Sequence, residues 1–138
     1  MNRSLQYTCT ITDNNLCDTV ITFNITEPDD FSITQSQTNL ICYGDSDGTA
    51  TVNVNDATPP YTYQWSNGDN TATADSLSVG IYTCTITDNN LCDTVITFTI
   101  TEPDEFSITQ SQTNLICYGD SDGTATVNVN DATPPYTY

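Results

Sequence analysis

The chain has 138 residues, of which 18 are acidic and one, Arg3, is basic, so its formal net charge at pH 7 is −17. Nucleic acids and anionic membrane surfaces would repel such a chain, and no segment is long and apolar enough to insert into a bilayer. Because histidine and lysine are both absent from the sequence, no base can activate a cysteine nucleophile, and we expect no enzymatic activity.

A period of 75 residues dominates the sequence, since residues 82–138 repeat residues 7–63 with only two differences. Repetition of this fidelity is typical of domains in tandem. We therefore predict the C-terminal part of one repeat in residues 1–29, a complete repeat in residues 30–104, and the N-terminal part of the next in residues 105–138. We interpret the chain as a window cut from a longer array.

Within the complete repeat, apolar and polar residues alternate along four stretches, which predicts β-strands at Thr49–Asn55, Tyr61–Trp65, Tyr82–Thr87 and Cys92–Thr101. Clusters of Gly, Asn, Asp and Pro predict turns at Gly44–Gly48, Asp56–Pro60 and Ser66–Asn70. No stretch has the 3.6-residue apolar period of a helix, so the predicted fold class is all-β.

Two aromatic residues favour an immunoglobulin-like β-sandwich. Trp65 stands where the third strand of such a domain places its core tryptophan, and Tyr82, two residues before Cys84, is similar to the tyrosine corner that opens the penultimate strand. The strand that begins at Thr49 has no cysteine to pair with Cys84, which excludes an antibody-type bridge. The alternation directs Trp65 and the tyrosines inward, so we interpret them as core residues. The alternative is a carbohydrate-binding module that stacks these rings on sugars.

A short acidic segment with a proline separates successive repeats, Glu102–Glu105 after the complete repeat and Glu27–Asp30 before it. Such a segment is expected to act as a semi-rigid hinge. One period carries ten carboxylates and no cation, so neighbouring repeats repel one another over roughly 8–10 Å. We therefore expect tandem sandwiches in an extended rod.

The complete repeat contains five motifs in order, which are CYGDSDG at Cys42–Gly48, PYTYQWSNG at Pro60–Gly68, LSVGIY at Leu77–Tyr82, DNNLC at Asp88–Cys92 and TEP at Thr101–Pro103. Together they resemble the SprB repeat, which builds very large surface proteins of Bacteroidota, including gliding-motility adhesins. The resemblance implies secretion by the type IX route, display at the cell surface and a non-enzymatic spacer or adhesive role. The chain departs from the family pattern at Leu91, usually glycine, and at Cys84, usually aliphatic.

Each repeat has three cysteines, which are Cys42, Cys84 and Cys92 in the complete one. Cys84 faces inward and is expected to be a small buried residue. If Thr87 opposes Cys92 in the hairpin, Cys84 opposes Val95 and lies too far from Cys92 for a bridge. The SprB pattern retains the cysteines that match Cys42 and Cys92, so the resemblance implies that these two pair, with Cys42–Cys84 as the second choice.

The acidic turn that contains Asp45 and Asp47, repeated at Asp120 and Asp122, offers the clustered oxygens that Ca²⁺ prefers. It lacks the remaining spaced ligands and the terminal glutamate of an EF-hand, so a plain acidic turn is the alternative. No other cofactor is expected.

Modification sites follow from two short patterns. Bacteroidota attach O-glycans within an Asp-Ser/Thr-aliphatic pattern, so the resemblance implies candidate sites at Thr19, Thr94 and Ser76. Asn24 begins an Asn-Ile-Thr sequon for N-glycosylation, although its counterpart, Thr99, does not.

These observations predict a structural or adhesive segment of a bacterial surface stalk or extracellular filament, braced by disulfides and O-glycosylated. Its expected partners are neighbouring repeats of the same chain, other filament strands or surface glycans. The alternative is a pilus-like subunit, since residues 1–29 supply the last two strands of a repeat and residues 105–138 the first three. Against this alternative, the segment Gln64–Ser76 has no counterpart in the combined halves.

Overall fold

A computed structural model describes residues 3–138, and all of its regular elements are β-strands, which confirms the all-β prediction. The strands are β1 (Ser4–Thr12), β2 (Asp18–Thr26), β3 (Ser32–Thr38), β4 (Gly48–Asp56), β5 (Thr62–Trp65), β6 (Thr73–Leu77), β7 (Gly80–Thr87), β8 (Asp93–Ile100), β9 (Ile108–Thr113) and β10 (Thr124–Val129). Among the described residues, no helix could span a membrane.

The strands form two hairpins and two three-stranded sheets. β1 pairs with β2 and β9 with β10, whereas the strands of the complete repeat follow the orders β3-β4-β6 and β5-β7-β8. Counted from the start of the repeat, these orders correspond to the A-B-E and C-F-G sheets of an immunoglobulin-like sandwich without strand D. The four predicted strands correspond to β4, β5, β7 and β8, whereas β3 and β6 were not predicted.

The chain divides into two compact units. Unit 1 consists of Met1–Ser36, Thr51–Thr73 and Thr83–Ile96, and unit 2 consists of Gln37–Ala50, Ala74–Tyr82 and Thr97–Tyr138. The repeat boundaries that follow from the 75-residue period stay a prediction.

In unit 1, β1 and β2 form an antiparallel hairpin in which Cys9 lies opposite Ile21. The sequence predicted Cys84 opposite Val95, which in this first copy corresponds to Cys9 opposite Val20. The observed register differs from this prediction by one residue. The difference arises because the turn takes up the five residues Asp13–Cys17 between the paired strands.

Trp65 is the last residue of β5 and lies opposite Cys84 of β7, and both residues belong to unit 1. Trp65 is 2% exposed, and Cys84 and Ile86 are fully buried. The indole Nε1–H donates a hydrogen bond to the Thr71 carbonyl at 2.8 Å, so the polar atom of the buried ring is satisfied. The prediction that Trp65 belongs to the core is confirmed.

In unit 2, Gly48 of β4 allows a close approach between chain segments. A Cβ atom at this position would lie 2.8 Å from the Leu77 carbonyl oxygen, 2.9 Å from Ile100 Cγ2 and 3.3 Å from Leu40 Cδ2. Leu40, Leu77 and Ile100 are all buried. Because real Cβ atoms do not tolerate such distances, only glycine fits where these residues pack.

Near the start of two strands, a tyrosine hydroxyl group donates a hydrogen bond to a backbone carbonyl. In unit 2, the Tyr82 hydroxyl donates to the Ser78 carbonyl at 3.2 Å, which is the predicted tyrosine corner. In unit 1, the Tyr61 hydroxyl donates in the same manner to the carbonyl of Ala57 at 3.1 Å. The second contact was not predicted, although both tyrosines reach a carbonyl four residues upstream.

Candidate functional site

Two surface clefts hold the exposed reactive groups of the complete repeat. The first linker cleft, in unit 1, has a volume of about 320 Å³ and is lined by Glu27–Phe31, Asp88 and Cys92. The second linker cleft, in unit 2, has a volume of about 440 Å³ and is lined by Ile41–Tyr43, Pro103–Phe106, Ala132 and Thr133. Each cleft therefore combines one copy of the linker with one cysteine.

The turn that carries Cys92 into the first cleft is held by Asp88. This residue is 5% exposed, and its Oδ1 accepts the backbone N–H groups of Asn90 at 2.8 Å and Cys92 at 3.0 Å. The Thr58 carbonyl accepts the N–H of Asn89 at 3.0 Å, and the Thr58 hydroxyl accepts the Asn90 side-chain amide at 3.0 Å. These bonds fix the backbone beside an exposed thiol. The contribution of Thr58 depends on a contact across the fold and could not be predicted.

Leu91, in the same turn, has a backbone φ of 65° and a side chain that is 83% exposed. This left-handed conformation costs a residue with a Cβ about 1–2 kcal/mol, and an exposed leucine recovers little by packing. We expect Leu91→Gly to raise the free energy of unfolding of the complete repeat by about 1 kcal/mol, measured by urea denaturation.

The matched control is Leu16→Gly. Leu16 has the same φ of 65° but lies in the β1–β2 hairpin, so its replacement should leave the unfolding midpoint of the complete repeat unchanged. A Leu91→Gly variant no more stable than the parent would contradict the prediction.

The loop that carries Cys42 into the second cleft is held by two carboxylates. Asp47 Oδ1 accepts the N–H of Ile41 at 3.4 Å, and Glu102 Oε2 accepts the N–H of Gly44 at 2.9 Å. Glu102 stands at the start of the linker, so its hydrogen bond fastens the Cys42 loop to the linker. The sequence did not predict this role for Glu102.

Several of the predicted calcium ligands serve as hydrogen-bond acceptors within their own loops. Asp47 and its counterpart Asp122 each accept a backbone N–H, and Asp120 accepts that of Cys117 at 3.2 Å. Within residues 3–138, no group of three or more His, Cys, Asp or Glu side chains is arranged to hold a metal ion. Calcium binding at these residues and at Asp45 stays a prediction.

All six cysteines are unpaired, so neither the Cys42–Cys92 bridge nor the Cys42–Cys84 bridge is shown. Cys92 directly precedes β8, whereas Leu40, two residues before Cys42, donates its N–H to the carbonyl of Thr101, directly after β8. The Cys42–Cys92 pairing and the Cys42–Cys84 pairing both stay predictions.

Cys84 differs from the other five cysteines because it is fully buried, whereas they are exposed. Burial raises the pKa of the Cys84 thiol, and a hydrogen bond with the backbone of Gln64 offsets part of that rise. We expect iodoacetamide at pH 8 to label five cysteines of the native chain promptly. The rate of labelling at Cys84 should be lower by a factor of about 10³ or more, because this thiol reacts only when the protein unfolds around it.

The measurement is the intact mass during native labelling, followed by peptide mapping with an Asp-specific protease. A Cys84→Ser variant is the control, since it should show the same five labels and no slow sixth one. Equal labelling rates for all six cysteines would show that Cys84 is accessible.

The candidate glycosylation sites differ in exposure. Thr19, Ser76 and Asn24 are exposed, whereas Thr94, the counterpart of Thr19, is half-buried. Exposure permits access by a transferase, and all four sites stay predictions.

The strand orders, the core tryptophan and the tyrosine corner define the chain as an immunoglobulin-like β-repeat protein. A family model, the SprB repeat, matches residues 34–70 and residues 109–138. The expected resemblance to the SprB repeat is therefore confirmed over these two regions. SprB repeats are typical of cell-surface proteins, so the similarity indicates a repeat segment of a cell-surface adhesin. No curated protein and no solved structure matched the chain.

Proposed function

We propose that the chain is a spacer segment of an adhesin stalk or extracellular filament, in which sandwiches follow one another in tandem and bear mechanical load. The observation that carries this proposal is the recurrence of the SprB match, which begins at residue 34 and again one 75-residue period later at residue 109. A unit repeated at constant spacing adds length without requiring new kinds of contact.

Charge supports an extended array. One period contains ten carboxylates and no cation, so ion pairs between consecutive repeats cannot form from their side chains. Repulsion between exposed carboxylates acts over roughly 8–10 Å at physiological ionic strength. The electrostatic free energy is therefore lower when consecutive repeats stay apart.

The linker is constrained at its start. Glu102 is half-buried, and its carboxylate accepts the N–H of Gly44 at 2.9 Å. Pro103 follows, and its ring restricts φ to about −65°. Both features reduce the number of conformations that the linker can adopt, which supports a semi-rigid hinge.

The proposal also covers location and modification. Export by the type IX route would display the repeats at the cell surface, with O-glycans at Thr19, Thr94 and Ser76. The repeats act without enzymatic activity, and their partners are neighbouring repeats, other filament strands or surface glycans. Disulfides brace the array.

The proposal is tested by chains that are lengthened by one and two periods and measured by small-angle X-ray scattering. A rod should gain a constant increment in maximum dimension per added period, whereas a single compact body grows only as about the 0.38 power of residue number. Raising the salt concentration should shorten the rod slightly as repulsion is screened. Growth that follows the compact-body law would refute the tandem stalk.

One observation favours the alternative, a subunit that polymerises by complementation. The β1–β2 hairpin exposes the face that forms the core of the complete repeat. Phe23 is 50% exposed whereas its counterpart Phe98 is 2% exposed, and Ile11 is 51% exposed whereas Ile86 is fully buried. The β9–β10 hairpin, which repeats the sequence of β3 and β4, is the matching occupant that a second copy of the chain would supply.

Gel filtration over a range of concentrations separates the two functions. Complementation predicts polymers that grow with concentration and are lost on Phe23→Asp, whereas Thr22→Asp, on the other face of β2, should have no effect. A monomer at all concentrations rules out complementation and leaves the stalk as the function of the chain.

A further inference from the structure

The two linker clefts place two different cysteines against equivalent copies of the same linker. Cys92 lies beside Glu27–Phe31 in the first cleft, and Cys42 lies beside Pro103–Phe106 in the second. The two linkers are identical except for one Asp-to-Glu replacement. Four equivalent linker positions, from the proline to the phenylalanine, line both clefts.

A threonine provides a second, independent correspondence. Thr133 lines the second cleft together with Cys42. Its counterpart Thr58, one period earlier, binds the Asn89–Asn90 backbone and side-chain groups that hold the turn of Cys92. In an array, the turn that carries the Cys92 counterpart of the following repeat would therefore be held by Thr133, at the edge of the cleft that contains Cys42.

We propose that Cys42 of one repeat forms a disulfide with the Cys92 counterpart of the following repeat. Each junction is then closed by a covalent bond that runs beside the linker. The chain contains the Cys42 side of one junction and the Cys92 side of another, and both thiols are exposed and unpaired. The inference rests on the tandem arrangement in the proposed function.

The bond forms by thiol–disulfide exchange with a small-molecule or protein disulfide. One cysteine thiolate attacks a sulfur of that disulfide, which gives a mixed disulfide and releases one thiolate. The second cysteine then attacks the protein sulfur of the mixed disulfide and releases the second thiolate. The two protein thiols lose two electrons and two protons in total, and the reagent disulfide is reduced to two thiols.

The consequence is mechanical. Without the bond, tension between repeats passes through the linker alone, and the hinge is limited only by Pro103 and the Glu102–Gly44 hydrogen bond. With the bond, the Cys42 loop and the Cys92 turn form a second covalent connection across the same junction. The hinge is then fixed at two points, and separation of the repeats requires reduction of the disulfide.

The test uses the chain lengthened by one period, in which residues 1–138 are followed by a second copy of residues 64–138. This chain contains Cys42 and the Cys92 counterpart of the following repeat. Cystamine, a cationic disulfide, is the oxidant, because the negative charge of the protein repels anionic disulfides. Remaining thiols are alkylated, and an Asp-specific protease is applied without reduction.

Two replacements make the peptides unambiguous. Cys17→Ser and Cys92→Ser leave the added copy as the only source of a DNNLC peptide with a cysteine. The Cys42 peptide begins at Asp30, which distinguishes it from the Cys117 peptide with its extra glutamate. We expect most molecules to be monomeric and to link the Cys42 peptide to the added DNNLC peptide, and Cys42→Ser should abolish the link.

Two results would overturn the inference. One is a Cys42 that stays free in the lengthened chain, and the other is a link to Cys42 that is lost on Cys92→Ser, which would establish pairing within one repeat. X-ray scattering of the same samples keeps the proposed function separate. Constant growth per period with a free Cys42 refutes only the disulfide, whereas compact growth refutes the tandem arrangement itself.

Discussion

Replacing Trp65 with alanine is expected to lower the free energy of unfolding of the complete repeat by about 3–5 kcal/mol. The indole is 2% exposed and lies opposite the fully buried Cys84, so its removal leaves a cavity that the two sheets cannot fill. Small domains are stable by only about 5–15 kcal/mol. We therefore expect the midpoint of unfolding to shift to a much lower urea concentration. The unfolding is measured by tyrosine fluorescence.

Trp65→Phe is the conservative control. It retains most of the buried ring but removes the Nε1–H that bonds to the Thr71 carbonyl at 2.8 Å. The expected loss is about 1–3 kcal/mol, because the Thr71 carbonyl loses its hydrogen-bond partner in a part-buried site. If Trp65→Ala lowered the stability by less than about 1 kcal/mol, the tryptophan would not be a core residue, and the sugar-stacking interpretation would regain support.

Gly48→Ala is expected to have the second largest effect, a loss of about 2–3 kcal/mol in the free energy of unfolding. The new Cβ would lie 2.8 Å from the carbonyl oxygen of Leu77 and 2.9 Å from Ile100 Cγ2. A backbone oxygen cannot move aside as the end of a side chain can, so β4 itself must shift. Urea denaturation of the variant measures the loss.

Gly123→Ala is the matched control, because Gly123 is the counterpart of Gly48 one period later. Its Cβ would meet Leu115 Cδ2 at 3.1 Å and the Thr113 carbonyl at 3.3 Å, near the exposed β9–β10 hairpin. The replacement should not change the unfolding midpoint of the complete repeat. A Gly48→Ala variant as stable as Gly123→Ala would contradict the close packing at Gly48.

Sequence patterns predicted the strands whose alternation is strong and missed those whose alternation is weak. β4 has alanine and valine on every second position, whereas β3 (SITQSQT) has Ile33 as its single aliphatic residue. β6 (TADSL) is short, and its alternation is broken at Ser76, where φ is 56°. Both strands pair with neighbours in the β3-β4-β6 sheet, so tertiary pairing rather than local pattern stabilises them.

The candidate site was predictable in its parts and not in its arrangement. The linker, the acidic turn and the cysteines were all identified from residue types and spacing. The roles of Thr58 and Glu102 were not, because each depends on a hydrogen bond to a residue more than thirty positions away, Asn90 and Gly44 respectively. Residue spacing carries no information on such contacts.

The amino-acid sequence was enough to establish the 75-residue period, the net charge of −17, the all-β class and the resemblance to the SprB repeat. These properties can be predicted because they depend only on the identity and the order of the residues along the chain. The structure was needed to show that Cys92 lies beside one copy of the linker and Cys42 beside the other. Arrangements of that kind arise from strand pairing, which brings together residues that lie far apart along the chain.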